Sequence, residues 1–336
     1  MQACGRAGVR LHLPRRGCAA WRMAAGISRG VAVRGQISLR RELRLQKWVA
    51  CRILSLILSS RAVDCLARPC ASAGTGACNA GCTGGIPGHS IWTDMMKITV
   101  CENEGRFDCT AAWRIVGQLL AKPASVIGLS TGRTTRNLHL QVGRMWREMP
   151  FDVTRVTFFG LDEVVNVPRT YKGACYRMLH DELTDHLGLP DDQLLMLPTS
   201  SDDFPEACRR FRAELARRGG ADLLMLGLGE NGHLGFNQPG TPFESEARVA
   251  EMDARLEERI RRETQTPPSI RLGGVTLGLK DIMHARRIVL VAKGRNKAAI
   301  VRQMLRGPVT TDVPASILQL HPACEFLLDR ESAALL

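Results

Sequence analysis

Residues 96–336 lack any closely spaced group of cysteines, and the chain lacks a long apolar run. The five cysteines of this part stand at 101, 109, 175, 208 and 324, and none of their spacings is typical of a metal-binding site. The most apolar run, 53–58, is too short to span a bilayer and too far from the start for a secretory signal. We therefore expect reduced, intracellular thiols packed as small hydrophobic residues, a cytoplasmic protein, no metal and no membrane partner.

Net charge is also nearly absent from most of the chain, although the total is +13. Residues 1–95 hold 14 basic and 3 acidic side chains, a balance of +11, which leaves +2 for residues 96–336. A nucleic-acid-binding role would rest on the basic segment alone, and it would predict salt-dependent binding that is lost with that segment. We expect no nucleic-acid partner.

Residues 1–95 are rich in Arg, Ala, Gly, Cys and Ser and show no sustained helical or strand period. An Arg-rich, acid-poor leader is typical of an organellar transit peptide. We favour a second interpretation, in which this is upstream sequence translated from a start site assigned too early. Under either interpretation we predict a basic, disordered extension over 1–95 and a single domain over 96–336.

Residues 96–336 alternate short apolar runs with stretches of helical spacing. Strands are predicted over 96–100, 125–129, 155–159, 221–226, 287–292 and 324–328. Helices are predicted over 107–120, from 134 to 146, and over 171–187, 204–218, 246–263 and 294–305. This alternation indicates an α/β fold with a Rossmann-like, open, mostly parallel sheet that carries helices on both faces.

The glycine-rich segment 226–240 directly follows a predicted buried strand. Its glycines allow positive φ and close approach of the backbone to a ligand, although a tight turn would use them as well. His233 lies among them, and histidine is the side chain that ordinarily titrates near neutral pH. Open α/β sheets bind ligands at such a strand end, so we expect the site here.

Three further positions carry polar groups suited to an anion or to proton transfer. The turn 130–134 lies between a strand and a helix, where backbone N–H groups and the helix dipole favour a phosphate, or where the residues serve only as an N-cap. Asp162 and Glu163 end another strand, as catalytic groups or as solvated loop acids. Lys297 lies at a helix start, where the dipole disfavours a cation, which suggests that it serves an anion.

Four segments together resemble the glucosamine-6-phosphate deaminase/isomerase family. In chain order they are LSTGRT at 129–134, FGLDE at 159–163, GLGENGHLGFNQPG at 227–240 and GPVTTDVPASILQLHP at 307–322. The last two are long and specific, and the resemblance covers about residues 96–330. A fifth segment, GVTLGLKDI at 274–282, resembles the galactosamine-6-phosphate branch of the family.

The resemblance implies aldose–ketose isomerisation with deamination, in a reaction that needs no metal or other cofactor. It implies that His233 opens the sugar ring with help from Asn231, and that Asp162 moves a proton from C2 to C1. The residue types agree with this chemistry, since such a shuttle needs one carboxylate over the bond. The product would be a ketose 6-phosphate with ammonia.

The same resemblance places the substrate phosphate at a turn, a lysine and an arginine. The residues implied are Ser130, Thr131, Gly132, Thr134, Lys297 and Arg262, with Arg261 as the alternative arginine if the alignment slips by one residue.

Two positions depart from the family pattern. Gln238 stands where the family usually has a glutamate that orients the histidine. A glutamine can accept a hydrogen bond from an imidazole N–H but brings no negative charge, so we expect a less favoured protonated His233 and slower ring opening. Arg133 replaces a common second glycine, where it would contact the phosphate or narrow the mouth of the site.

Three alternatives stay open at this point. Gln238 also suits a non-catalytic sugar-phosphate sensor, although Asp162 and His233 are intact. A 6-phosphogluconolactonase would share the fold, but its turn lacks the Phe-Asn-x-Pro-Gly found at 236–240. The substrate could be either glucosamine-6-phosphate or galactosamine-6-phosphate. We expect an amino-sugar phosphate substrate and a homo-oligomer.

Overall fold

The computed structural model describes residues 96–252 and 254–336, apart from the side chains of residues 255, 263 and 264. The expectations for residues 1–95 lie outside the described residues. Within the described part, no helix is long and apolar enough to cross a membrane.

The main sheet has seven strands, and every pairing in it is parallel. The strands are β1 Lys97–Cys101, β2 Val126–Leu129, β3 Thr157–Gly160, β5 Leu194–Leu195, β6 Leu223–Gly227, β9 Ile288–Ala292 and β10 Cys324–Asp329. Their order across the sheet is β1, β10, β9, β6, β2, β3 and β5. The predicted parallel α/β sheet is therefore confirmed.

The connections between these strands are mostly helical. The α-helices of the described residues are α1 Glu104–Ala121, α2 Arg133–Glu148, α3 Cys175–Leu179, α4 Asp185–Leu187, α5 Phe204–Arg217, α6 Ala254–Thr264, α7 Leu279–Met283 and α8 Ala298–Arg306. A π turn, His180–Thr184, joins α3 to α4, and 3-10 turns cover Asp191–Gln193, Arg295–Lys297 and Pro314–Leu320. The helix predicted over 171–187 is thus shorter at its start and interrupted.

Helices cover both faces of the main sheet, as predicted. Leu223 and Met225 of β6 pack into one hydrophobic cluster, which includes residues of α1 and α2. Leu224 and Leu226 pack into a second cluster, which includes residues of α5 and α8. Successive strand side chains point to opposite faces, so a strand that is apolar at every position has to be buried on both sides.

A second, antiparallel sheet is the main feature that the sequence reasoning missed. It joins β4 Asp162–Val165, β8 Gly273–Thr276 and β7 Arg248–Ala250 in that order. The prediction of a helix over 246–263 is therefore wrong at its start, because α6 begins only at Ala254. Strand β7 is held by long-range pairing with β8, which the local charge pattern does not reveal.

The chain reverses its direction of sheet growth between β2 and β6. After β2 it adds β3 and β5 on one side, and after β6 it adds β9 and β10 on the other. Such a switch point opens a crevice at the carboxyl ends of the strands, where open α/β sheets bind ligands. The two strand ends are fastened together there, because the Ser130 hydroxyl oxygen accepts the Gly227 N–H at 2.7 Å.

Gly128 lets β2 pack tightly beside the crevice, and its replacement tests that packing. A Cβ there would lie 2.3 Å from Cδ1 of Leu224 and 2.3 Å from Cζ of Phe159. We expect Gly128→Ala to lower the free energy of unfolding by about 1–3 kcal/mol through overpacking. Gly117→Ala on α1 is the control, since its Cβ meets nothing within 4 Å and a helical alanine stabilises by about 0.5–1 kcal/mol. Urea unfolding that gives both variants the same sign would contradict this account.

Candidate active site

Three turns meet at the carboxyl edge of the main sheet. Thr131 follows β2 and Asp162 follows β3, and both contact Cys175. The Thr131 hydroxyl lies 3.2 Å from Sγ of Cys175, and this sulfur lies 3.6 Å from Oδ1 of Asp162. The turn after β6 reaches the same carboxylate, because a Cβ at Gly235 would lie 3.2 Å from Oδ2 of Asp162. The structure therefore brings the three sequence-predicted motifs to one crevice.

Asp162 has an environment unlike that of a surface acid. Burial, followed by the negative charge of Glu163, raises the pKa of its carboxyl group to about 7, against the opposing effect of the Cys175 thiol. A carboxyl group with this pKa is divided between base and acid at neutral pH, which suits it to take up a proton and to return it.

The carboxylate of the neighbouring acid, Glu163, accepts hydrogen bonds from the backbone. Its carboxylate is fully buried and accepts the N–H groups of Val164, Cys175 and Tyr176 at 2.8, 2.7 and 2.8 Å. It thereby fastens the start of α3 to β4. Adjacent strand residues point to opposite sides, so one acid of the pair faces the crevice and the other faces the protein.

Side chains of the 226–240 turn form a chain of hydrogen bonds that ends on the imidazole. Nδ1 of His233 lies 2.7 Å from Oδ1 of Asn231, and Nδ2 of Asn231 donates to Oε1 of Gln238 at 2.9 Å. Because the amide oxygen of Asn231 can only accept a hydrogen bond, Nδ1 of the neutral ring carries the proton, and Nε2 is its basic atom. Gln238 therefore reaches His233 through Asn231 and not by the direct bond considered from the sequence.

The glycines of this turn have specific spatial reasons. A Cβ at Gly229 would lie 2.3 Å from Nδ1 of His233, so the imidazole packs flat against a backbone that can carry no side chain. Gly232 has a φ of +85°, which a residue with a Cβ rarely adopts. The spacing of glycines around His233 thus places its ring.

The turn 130–134 offers the start of α2 to the crevice. Gly132 is its N-cap with a φ of 130° and no side-chain cap, and the first backbone N–H groups of a helix have no partner within the helix. The Ser130 hydroxyl is engaged with the backbone of β6, donating to Met225 O at 3.2 Å. Ser130 thus has a structural task, and Thr131 and Thr134 are partly exposed beside it.

Lys297 lies among other cations at this end of the sheet. The pKa of its ammonium group is lowered to about 8, chiefly by burial and also by the charges of Arg259 and Arg133, while the charge of Glu230 opposes this lowering. Arg133 begins α2, so this interaction links Lys297 to the 130–134 turn. Like charges gathered around a half-buried lysine favour the binding of an anion.

The arginines of α6 differ in their surroundings. Arg261 donates to Glu257 and to the carbonyl groups of Pro267 and Ile270, and Arg262 is exposed. Arg259, which the sequence did not single out, is the α6 arginine whose charge acts on Lys297. The part of Arg262 in phosphate binding stays a prediction.

A family model described as "Glucosamine-6-phosphate isomerases/6-phosphogluconolactonase" matches residues 114–325. The chain belongs to this family. A glucosamine-6-phosphate deaminase of Halothermothrix orenii is 31% identical over 241 residues, which are 72% of this chain and 100% of that protein. One of Halalkalibacterium halodurans is 32% identical over 237 residues, 70% of this chain and 96% of its own. The family resemblance inferred from the motifs is confirmed.

Solved structures of the family show the same fold. One, described as a monomeric glucosamine-6-phosphate deaminase, has a TM-score of 0.69 and 29% identity, covering 72% of this chain and 100% of its own. A 6-phosphogluconolactonase from Trypanosoma cruzi has a TM-score of 0.59 and 22% identity, covering 72% and 97%. The second likeness concerns the fold alone.

The raised pKa of Asp162 predicts a pH-dependent stability. Its folded value of about 7 exceeds the ordinary 3.8, so the folded protein keeps a proton that the unfolded chain has lost. This stabilisation is complete below about pH 4 and disappears as the pH rises through 7. At pH 8 we expect Asp162→Asn to raise the free energy of unfolding by on the order of 2–4 kcal/mol.

Urea unfolding at pH 4 and pH 8 checks this expectation. The matched control is Asp181→Asn, which alters an exposed acid paired with Arg177 and should change stability by less than about 0.5 kcal/mol at both pH values. An Asp162→Asn protein that is no more stable than the wild type at pH 8 would show that the carboxylate is not held in a charge-excluding position.

Proposed function

We propose that this chain converts an amino-sugar 6-phosphate, glucosamine-6-phosphate or galactosamine-6-phosphate, to a ketose 6-phosphate and ammonia. The observation that carries the proposal is the position of Asp162, whose pKa of about 7 suits it to reversible proton transfer beside the His233 turn. The names of relatives about 30% identical over 72% of the chain support the same reaction.

Ring opening is assigned to His233. With its Nδ1 proton held by Asn231, the ring presents Nε2 as the group that takes the proton of the C1 hydroxyl. The ring oxygen gains a proton as its bond to C1 breaks, which leaves an open-chain aldehyde. The uncharged relay from Gln238 stabilises a positive ring less than a carboxylate would, so the imidazole acts here mainly as a neutral base.

Isomerisation is assigned to Asp162. In its ionised form it removes the proton at C2, and the electron pair forms the C1–C2 double bond of an enolamine while the aldehyde oxygen gains a proton. Return of a proton to C1 gives an imine at C2, and addition of water then releases ammonia and leaves the ketose. One carboxyl group near its midpoint of titration serves both directions of transfer.

The substrate phosphate is assigned to the start of α2 and the cations that face it. The proposed contacts are Ser130, Thr131, Gly132, Thr134, Lys297 and Arg262, to which we add Arg259 and Arg133. A phosphate dianion would relieve the mutual repulsion of the cations and favour the charged form of Lys297. Both the hydroxyl and the backbone N–H of Ser130 are engaged with β6, so a contact of Ser130 with the phosphate would need one of these bonds to be exchanged.

Three further expectations accompany the proposal. One solved relative is described as monomeric, and for this chain the homo-oligomer stays a prediction. The cytoplasmic location and the single domain over 96–336 are likewise proposed on the sequence pattern.

The direct test supplies the full-length chain with each amino-sugar phosphate and follows ammonia and ketose phosphate. We expect release from one epimer or both, lost by at least about a thousandfold in Asp162→Asn because the carboxylate is the proton carrier, and kept in the surface control Asp181→Asn. Binding of sugar phosphates without release would favour the sensor, and hydrolysis of 6-phosphogluconolactone without ammonia release would favour the lactonase. Either outcome would contradict the proposal.

Gln238→Glu tests the uncharged relay separately. A glutamate oxygen can accept the Nδ2 proton of Asn231 as Oε1 of Gln238 does at 2.9 Å, while it adds the negative charge that favours a protonated His233. We expect faster ring opening, with turnover raised several-fold and its pH profile displaced towards higher pH. An unchanged rate and an unchanged profile would show that the relay does not limit catalysis.

A further inference from the structure

Cys175 lies between the two halves of the crevice and contacts both. The Thr131 hydroxyl donates to its sulfur at 3.2 Å, and the sulfur donates to Oδ1 of Asp162 at 3.6 Å. Both distances suit hydrogen bonds of the larger sulfur atom. Thr131 belongs to the 130–134 turn and Asp162 to β4, so a single thiol connects the proposed phosphate turn to the proposed proton carrier.

The thiol is held firmly in this place. Cys175 is only 4% exposed, and its backbone N–H donates to Oε1 of Glu163 at 2.7 Å. Burial, together with the charges of Asp162 and Glu163, raises the pKa of the Cys175 thiol well above its ordinary value. The sulfur therefore keeps its proton at neutral pH and acts as a donor, not as a nucleophile.

The two oxygens of Asp162 consequently have different surroundings. Oδ1 receives the thiol proton, whereas Oδ2 lies on the side of Gly235 in the His233 turn. A carboxylate pinned at one oxygen cannot rotate without losing that bond, so the other oxygen keeps a constant direction. The groups that shift the Asp162 pKa from the elements packed against it are Glu163, on its own strand, and Cys175, on α3.

We propose that Cys175 is a positioning residue, whose S–H holds Oδ1 of Asp162 and thereby directs Oδ2 towards the carbons between which the proton moves. This inference rests on the proposed deaminase function for its kinetic consequence. The contact itself does not depend on that function, so the two can fail separately.

The first experiment observes the thiol directly in the full-length protein. The S–H stretching band of Cys175 is assigned by infrared difference against Cys175→Ala. A thiol that donates to a carboxylate absorbs at lower frequency than one that does not, so we expect this band to move to higher frequency in Asp162→Asn and as the wild-type protein is acidified through about pH 7, where Asp162 takes up its proton. Cys208, which is 2% exposed in the core, gives the comparison band and should not move.

The second experiment follows the pH dependence of turnover. Loss of the donor in Cys175→Ala should raise the acid limb of kcat/KM by about 0.5–1 pH unit and lower kcat about tenfold with little change in KM, as expected for a misdirected base. Cys175→Ser, which retains a hydroxyl donor, should restore the limb towards its wild-type position. Cys208→Ala removes an equally buried sulfur elsewhere and should lower stability without moving the limb.

The outcomes separate the two ideas. A Cys175 S–H band whose frequency does not change would overturn the proposal whatever the enzyme activity. A Cys175→Ala protein that loses stability as Cys208→Ala does, but whose acid limb of kcat/KM stays at the wild-type pH, would also overturn it. A band that moves in a protein that releases no ammonia would support the contact and reject the deaminase function.

Discussion

The crevice depends on a pair of adjacent carboxylates, of which Glu163 is fully buried. The other, Asp162, is partly buried, and two negative charges at this distance destabilise each other. The structure resolves the conflict by giving Glu163 three backbone N–H donors and leaving Asp162 with a pKa of about 7. The same three bonds attach α3 to β4, so the arrangement that raises the pKa of Asp162 also holds the wall of the crevice.

The second constraint concerns the imidazole. Gly229 lets the ring of His233 lie against the backbone, and two amides in series fix its tautomer. Gln238 also has a buried Nε2 atom that lacks a hydrogen-bond partner among the described residues, and such a donor costs about 1–3 kcal/mol. A glutamate in this position would have no such donor.

The sequence was sufficient for the parallel sheet, because β6 and β9 are apolar at every position and only a doubly covered strand tolerates that pattern. The strand end before 226–240 also predicted a candidate site at the carboxyl edge of the sheet. The second sheet was missed because β7 and β8 are short and are stabilised by pairing across a long loop. Arg259 was missed because helical periodicity does not reveal which charged residues lie near a half-buried lysine.

The position of Cys175 could not be predicted from the sequence either. A lone cysteine in the sequence gives no signal beyond a small hydrophobic residue, and only the fold brings its sulfur between Thr131 and Asp162. The opposite tasks of Asp162 and Glu163 also follow from the side of the strand on which each lies, which needs the position of β4 relative to the crevice.

The central claim is that Asp162 moves a proton from C2 to C1 of an amino-sugar phosphate. The most direct measurement follows a substrate that carries deuterium at C2, with NMR detection of the label and simultaneous detection of ammonia. We predict that the label leaves C2 in step with ammonia release, appearing at C1 or in water, and stays at C2 with Asp162→Asn. Ammonia released while deuterium remains at C2 would contradict the account.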